Sequence, residues 1–128
     1  MPGKSKSSTT TKAGSQTGSQ KMAPLHPGEM LREDFMKPLG LSSNALALAL
    51  RVPVTRISEI VNERRSITAD TALRLSRYFR MSPNFWLRLQ TQYDLEIAED
   101  ELAVAIRREV RPAPRDSKTG ELKPAATA

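Results

Sequence analysis

Between positions 51 and 80 the chain carries seven arginines against Glu59, Glu63 and Asp70, in a stretch that also has apolar periodicity. Guanidinium groups at that density suit one kind of chemistry, since each is a permanently charged planar fork that donates paired hydrogen bonds to phosphate or carboxylate oxygens. The stretch is therefore the candidate polyanion surface. Residues 1–21 hold four lysines and no acid, and residues 106–128 six bases against three acids, so both ends are basic as well. Residues 81–105 are the opposite, with Arg88 alone against Asp94, Glu96, Glu99, Asp100 and Glu101. That acidic run is unsuited to a phosphate backbone and reads first as a solvated face.

Other chemistries are short of residues. Cysteine is absent, which removes disulfides, thiol nucleophiles and thiolate metal sites, and His26 is the single histidine. With no second imidazole beside it, His26 reads as an exposed turn residue. No nucleophile is paired with a base, no ligand spacing suits a metal, and no glycine-rich loop could cradle a phosphate. The expectation is a binding protein without cofactor or metal, not an enzyme. No run of about eighteen apolar residues exists, and the first residues lack the apolar segment of a secretory signal, so a cytoplasmic address without membrane contact is the default.

The elements that must position the arginines are helical. Residues 1–21 are mostly Ser, Thr, Gly, Lys and Gln, and residues 107–128 include Pro112, Pro114 and Pro124 without periodicity, so both read as disordered tails. Residues 22–106 form the one domain. Five helical stretches lie within it, with no period-two alternation. The first runs from about Pro27 to Lys37, carries Met30, Leu31 and Phe35, and is stopped by Pro38 and Gly40. The second is capped by Ser42 or Ser43 and presents Ala45, Leu46, Ala49 and Leu50. The third starts at Pro53 and buries Ile57, Ile60 and Val61, leaving Thr55, Arg56, Glu59 and Asn62 outward. The fourth, capped by Thr68, sets Ala69, Ala72, Leu73, Ser76 and Phe79 in a stripe. The fifth, opened by Ser82 and Pro83, repeats Phe85, Leu89, Tyr93 and Ile97, with Trp86 packing on the core, and its helical pattern fades beyond Ile97.

The second and third stretches form a pair. Two short helices that cross steeply need a small residue at closest approach, supplied by Ala47, and branched residues wedged behind it, supplied by Ile57 and Ile60. Such a pair lets its later helix protrude far enough for its first turn to enter a major groove. On these residues, positions 41–79 resemble the helix-turn-helix of phage repressors, Cro-like proteins and bacterial antitoxins, and the expected fold is all-α, a five-helix phage-repressor-like domain. More narrowly, His26-Pro27-Gly28-Glu29, Pro38-Leu39-Gly40-Leu41, the run Ile67 to Leu75, and Ser82-Pro83 with Phe85-Trp86-Leu87 and Leu89-Gln90 resemble the HigA antitoxin family. The likeness covers about residues 24–97.

That resemblance implies a homodimer that binds double-stranded operator DNA, represses its own operon, and neutralises a HigB toxin, a RelE-like ribosome-dependent mRNA endonuclease. The generic helix-turn-helix equally suits a stand-alone repressor with no toxin. Carried over by position, Val54, Thr55, Arg56 and Glu59 would meet base edges, with Arg56 donating to guanine, Glu59 accepting from cytosine and Val54 packing on a thymine methyl. Ser43, Asn44, Asn62, Arg64 and Arg65 would contact phosphates and fix register. The fifth helix would pair with its symmetry mate, and the acidic run could mask a basic toxin. Two positions depart from the family, since Arg51 and Arg80 stand where glycine is common. A non-glycine residue in the left-handed region costs about 1 kcal/mol, so these turns either differ in geometry or carry strain offset by the added charge.

Overall fold

A computed structural model describes residues 22–124. Five helices account for the regular structure among them, and no helix is long and apolar enough to cross a membrane. Helix α1 covers residues 27–39 in three consecutive segments: an α turn Pro27–Met30, a π-helical stretch Leu31–Met36 and a last turn Lys37–Leu39. Pro38 does not stop this helix as its ring predicts. The widened ladder, in which the Lys37 N–H reaches back to the Arg32 carbonyl, accommodates a residue that has no N–H to donate and crowds the carbonyl four positions earlier. Gly40 ends the helix in a left-handed conformation at φ 66°.

Helices α2 (Ser43–Leu50) and α3 (Val54–Val61) follow, each of eight residues. Ser42 is the cap of α2, its hydroxyl accepting from the Ala45 N–H at 3.0 Å. Helix α4 (Ala69–Phe79) is capped by Thr68, and α5 (Pro83–Glu109) runs far past Ile97, where the sequence pattern had faded. Two compact units divide the described residues, one ending at Glu96 and the next beginning at Ile97, so α5 contributes to both.

The first unit contains the core. Leu31, Leu46, Ile57, Ile60, Ile67, Ala72, Leu75 and Trp86 are sealed from solvent, and Phe35 stacks between Phe79 and Trp86, each 5.0 Å away by ring centroids. The expected faces need three corrections of register. On α2 the buried residues are Leu46, Ala47 and Leu50, with Ala45 and Ala49 exposed. On α4 they are Thr71, Ala72, Leu75 and Ser76, while Ala69 and Leu73 face outward. Each helix is turned by about one residue from the expected stripe, which leaves Leu73 exposed on α4 and buries the Ser76 hydroxyl without a hydrogen-bond partner. On α5 the two fully covered residues are Trp86 and Gln90, one position beyond the expected Phe85 and Leu89, which are half-buried.

The second unit begins within α5 and ends in an exposed segment. Leu102, Val104, Ile106 and Val110 remain about half exposed there. After Glu109 no helix forms, in line with the proline spacing, though the segment is not featureless: Arg115 and Leu122 pair across a short turn. Residues 1–21, read as a basic tail, lie outside the described residues.

Candidate nucleic-acid interface

Helix α3 is held by its apolar side and by its carboxyl end. Ile57 and Ile60 are completely buried, and Val61 nearly so. Behind its last turn stands α1, where a Cβ on Gly28 would lie 1.7 Å from the Ile60 carbonyl oxygen, so only glycine permits the two backbones to touch. Arg32 donates to the Val61 carbonyl and forms an ion pair with Glu63 at 3.5 Å, which ties the carboxyl end of α3 to α1. His26 caps α1 beside this contact. Its Nδ1 accepts the Gly28 N–H at 2.9 Å and its ring lies edge-on to Tyr93 at 4.8 Å. The expected exposed turn residue is thus buried, because the His-Pro-Gly-Glu segment is the clasp that brings α1 onto α3. Burial pushes the imidazole below its ordinary value, against weaker upward pulls from Glu63 and Asp94.

The outward side of α3 carries the residues that the sequence singles out. Val54 is 42% exposed although apolar, Thr55 is exposed, and Arg56 and Glu59 are half-exposed. Pro53 precedes them as a cap without a side-chain bond, so no side chain covers the first-turn amides of α3. Asn62 caps the other end, and Arg64 and Arg65 follow it in an exposed loop. Ser43 and Asn44 occupy the first turn of α2.

Ion pairs order this surface. Arg56 Nη1 meets Asp70 Oδ2 at 2.8 Å, Arg74 Nε meets Asp70 Oδ1 at 3.1 Å, and Arg74 also donates to the Leu50 carbonyl at 2.9 Å. Those bonds, Arg74's first and then Arg56's, hold the Asp70 carboxyl below the usual carboxylate range. Arg65 Nε meets Glu59 Oε1 at 2.8 Å, bringing together an expected base reader and an expected phosphate contact. Each acid of the 51–80 stretch is therefore engaged by an arginine, whereas Arg51, Arg64, Arg77 and Arg80 make no ion pair among the described residues. The surface keeps its excess of positive charge.

The two arginines that replace glycine adopt the glycine geometry. Arg51 stands at φ 62° and Arg80 at φ 59°, each ending a helix, and Glu63 at φ 63° makes a third such turn. Sequence reasoning missed Gln90 as well. Its Oε1 accepts the buried Ile67 N–H at 2.8 Å and its Nε2 donates to Asp94 at 2.9 Å and Ser66 at 3.3 Å, pinning the loop that carries Arg64 and Arg65 toward α4. A polar residue in the middle of an apolar repeat was the available signal.

A helix-turn-helix family model matches residues 33–86. Virulence-associated protein I of Dichelobacter nodosus is 57% identical over 84 residues, covering 66% of this chain and 78% of that protein. Antitoxin HigA-1 of Vibrio cholerae is 37% identical over 75 residues, covering 59% of this chain and 70% of the relative. The solved structure of Pseudomonas aeruginosa antitoxin HigA with the higBA promoter is 44% identical with a TM-score of 0.68, covering 70% of this chain and 97% of that one. The buried clasp, the protruding α3 and these likenesses agree: the chain belongs to the HigA family of helix-turn-helix antitoxins.

Proposed function

We propose that this chain is the antitoxin of a type II toxin–antitoxin module, which binds and neutralises a HigB/RelE-like mRNA endonuclease and represses its own operon by sequence-specific DNA binding. The observation that carries the DNA half is α3, a short helix buried on Ile57, Ile60 and Val61 whose other side is polar, exposed and bordered by uncommitted arginines. A relative solved with its promoter supports the same reading. Val54, Thr55, Arg56 and Glu59 would read base edges in the major groove. Ser43, Asn44, Asn62, Arg64 and Arg65 would grip phosphates. Arg56 and Glu59 must exchange Asp70 and Arg65 for base partners, and such solvent-facing pairs are weak enough to do so.

The domain runs over residues 22–106 in this reading, with the fifth helix joining two copies in a cytoplasmic homodimer whose third helices read half-sites about 34–36 Å apart. Comparing Arg56→Ala with Arg64→Ala on operator and random duplexes tests the division of roles. Loss of the base contact should weaken operator binding by about 1–3 kcal/mol and relax one position. Loss of the phosphate contact should weaken both duplexes alike and flatten the salt dependence. Equal losses from both variants on both duplexes would refute the assignment. Co-expression with the neighbouring reading frame tests the toxin half: co-purification and growth rescue support an antitoxin, and their absence leaves a stand-alone repressor.

A further inference from the structure

The residues after α5 have no core to join, yet they hold a shape. Between Pro114 and Lys123 the chain doubles back on itself, and Arg115 pairs with Leu122 in an antiparallel bridge. The Lys123 N–H donates to the Pro114 carbonyl at 3.0 Å, Asp116 N–H to Glu121 at 2.8 Å, and Gly120 N–H to Asp116 at 2.8 Å. At the tip, Asp116 Oδ1 accepts from the amides of Lys118 at 2.8 Å and Thr119 at 3.0 Å, and Thr119 Oγ1 accepts from Glu121 at 3.2 Å. Gly120 takes φ 76°, the left-handed position such a turn requires, and Arg115 Nη1 donates to its carbonyl at 2.7 Å.

Hydrophobic burial does not explain this hairpin, since Leu122 is 62% exposed and two-stranded hairpins are marginal in water by themselves. Its turn hydrogen bonds hold it instead, and its charge points to a use. Arg107 and Arg108 close α5, and Arg111, Arg115, Lys118 and Lys123 follow, against Glu109, Asp116 and Glu121. Turn amides hold the Asp116 carboxyl below the usual carboxylate range and so keep it charged; residues 114–123 thus set Arg115, Lys118 and Lys123 against two acids, and Arg107, Arg108 and Arg111 against Glu109 supply the rest of the basic excess. This second basic surface is separated in sequence from the arginines of positions 51–80 by the acidic run Asp94 to Glu101, so it is not a continuation of the first.

We propose that the 114–123 hairpin turn, with the basic residues that lead into it from Arg107, is a second contact to double-stranded DNA that grips phosphates flanking the site held by α3. The proposal rests on the reading of α3 as a DNA-binding helix and extends it. A doubled-back segment two backbones wide is slim enough to follow a groove, and Pro112, Pro114 and Pro124 stiffen its roots, which lowers the entropy lost on docking. An unshaped cationic tail would need none of the turn chemistry. A toxin that binds RNA is itself expected to be basic and would repel the hairpin.

The test uses two duplexes from the region upstream of the chain's own gene. One is trimmed to the stretch protected by a chain ending at Glu109, and the other is extended by roughly ten base pairs, about one helical turn, on each side. Four proteins are compared: the full chain, the chain ending at Glu109, a triple variant Arg115→Ala, Lys118→Ala, Lys123→Ala, and Gly120→Val, which keeps the charge and breaks the turn. On the extended duplex the last three should bind about tenfold more weakly than the full chain, with the salt slope reduced by about 2 to 3 in the triple variant. On the trimmed duplex all four should agree. Equal binding by all four on both duplexes overturns the hairpin contact alone. A loss in the triple variant that Gly120→Val does not share reduces the segment to an unshaped tail and overturns the hairpin contact. Unchanged DNA binding with weaker toxin co-purification reassigns the hairpin to the toxin. If the α3 variant Arg56→Ala binds as well as the full chain while truncation still weakens the extended duplex, the α3 reading fails and the hairpin contact stands.

Discussion

His26 shows how a residue without chemical partners in sequence can acquire a role from packing. Its Nδ1 caps the first turn of α1 only while that nitrogen is unprotonated, because a protonated imidazole has no lone pair to accept the Gly28 N–H. Burial lowers its pKa in the folded protein below the unfolded value. The unfolded chain therefore binds more protons over the interval between the two values, and stability rises with pH there. The contribution is present above about 6.5 and is lost as pH falls through the folded pKa. Urea denaturation between about pH 7.5 and 5 should record this loss, and His26→Asn, which keeps a capping oxygen without a titrating group, should flatten it. An unchanged pH profile in that variant would remove His26 as the cause. Arg51 and Arg80 are a contrast, since the glycines expected at their positions pointed to left-handed turns and both arginines adopt them. Glu63 adopts the same geometry with no such sign, because nothing local in Asn62-Glu63-Arg64 distinguishes a turn from a continuing helix.

Helix α3 was readable because its two requirements, an apolar wedge and a polar outer side, coincide in one eight-residue period. Helices α2 and α4 were misregistered by one position each, since alanine and leucine neighbours make two adjacent stripes nearly equal in apolar content. Tertiary partners then choose between the stripes. Long-range ties were invisible for a related reason: Arg56 and Asp70 stand fourteen residues apart, and only the fold brings them to 2.8 Å. That pair presets the proposed reader. Removing the negative charge with Asp70→Asn frees the guanidinium and also lessens phosphate repulsion, so affinity for random DNA should rise roughly several-fold at low salt. Operator affinity should rise less, because an unrestrained Arg56 loses the orientation that favours the correct base. Fluorescence anisotropy on both duplexes checks the outcome, and an equal gain on both would reduce Asp70 to a charge effect.

Across the chain, charge alternates from the basic 51–80 stretch through the acidic 94–101 run to the basic residues after Ile106, and composition alone displayed that order. What composition could not display is the division at Glu96, within a helix whose apolar period fades near the same place. The buried core lies between Leu31 and Trp86, so the first unit owes none of its fully buried hydrophobic residues to the part of α5 after Ile97. Exposed Leu102, Val104 and Ile106 on that later part are the surface through which the proposed homodimer would close. A chain ending at Glu96 should therefore still melt cooperatively, but its melting temperature should not depend on protein concentration, whereas that of the full chain should. Its operator binding should follow a single half-site, weaker and without cooperativity. Sedimentation with paired thermal melts at two concentrations decides the matter. Concentration-dependent melting that survives truncation would move the dimer interface into the first unit, whereas its absence from the full chain as well would mean that two half-sites are first joined on the DNA.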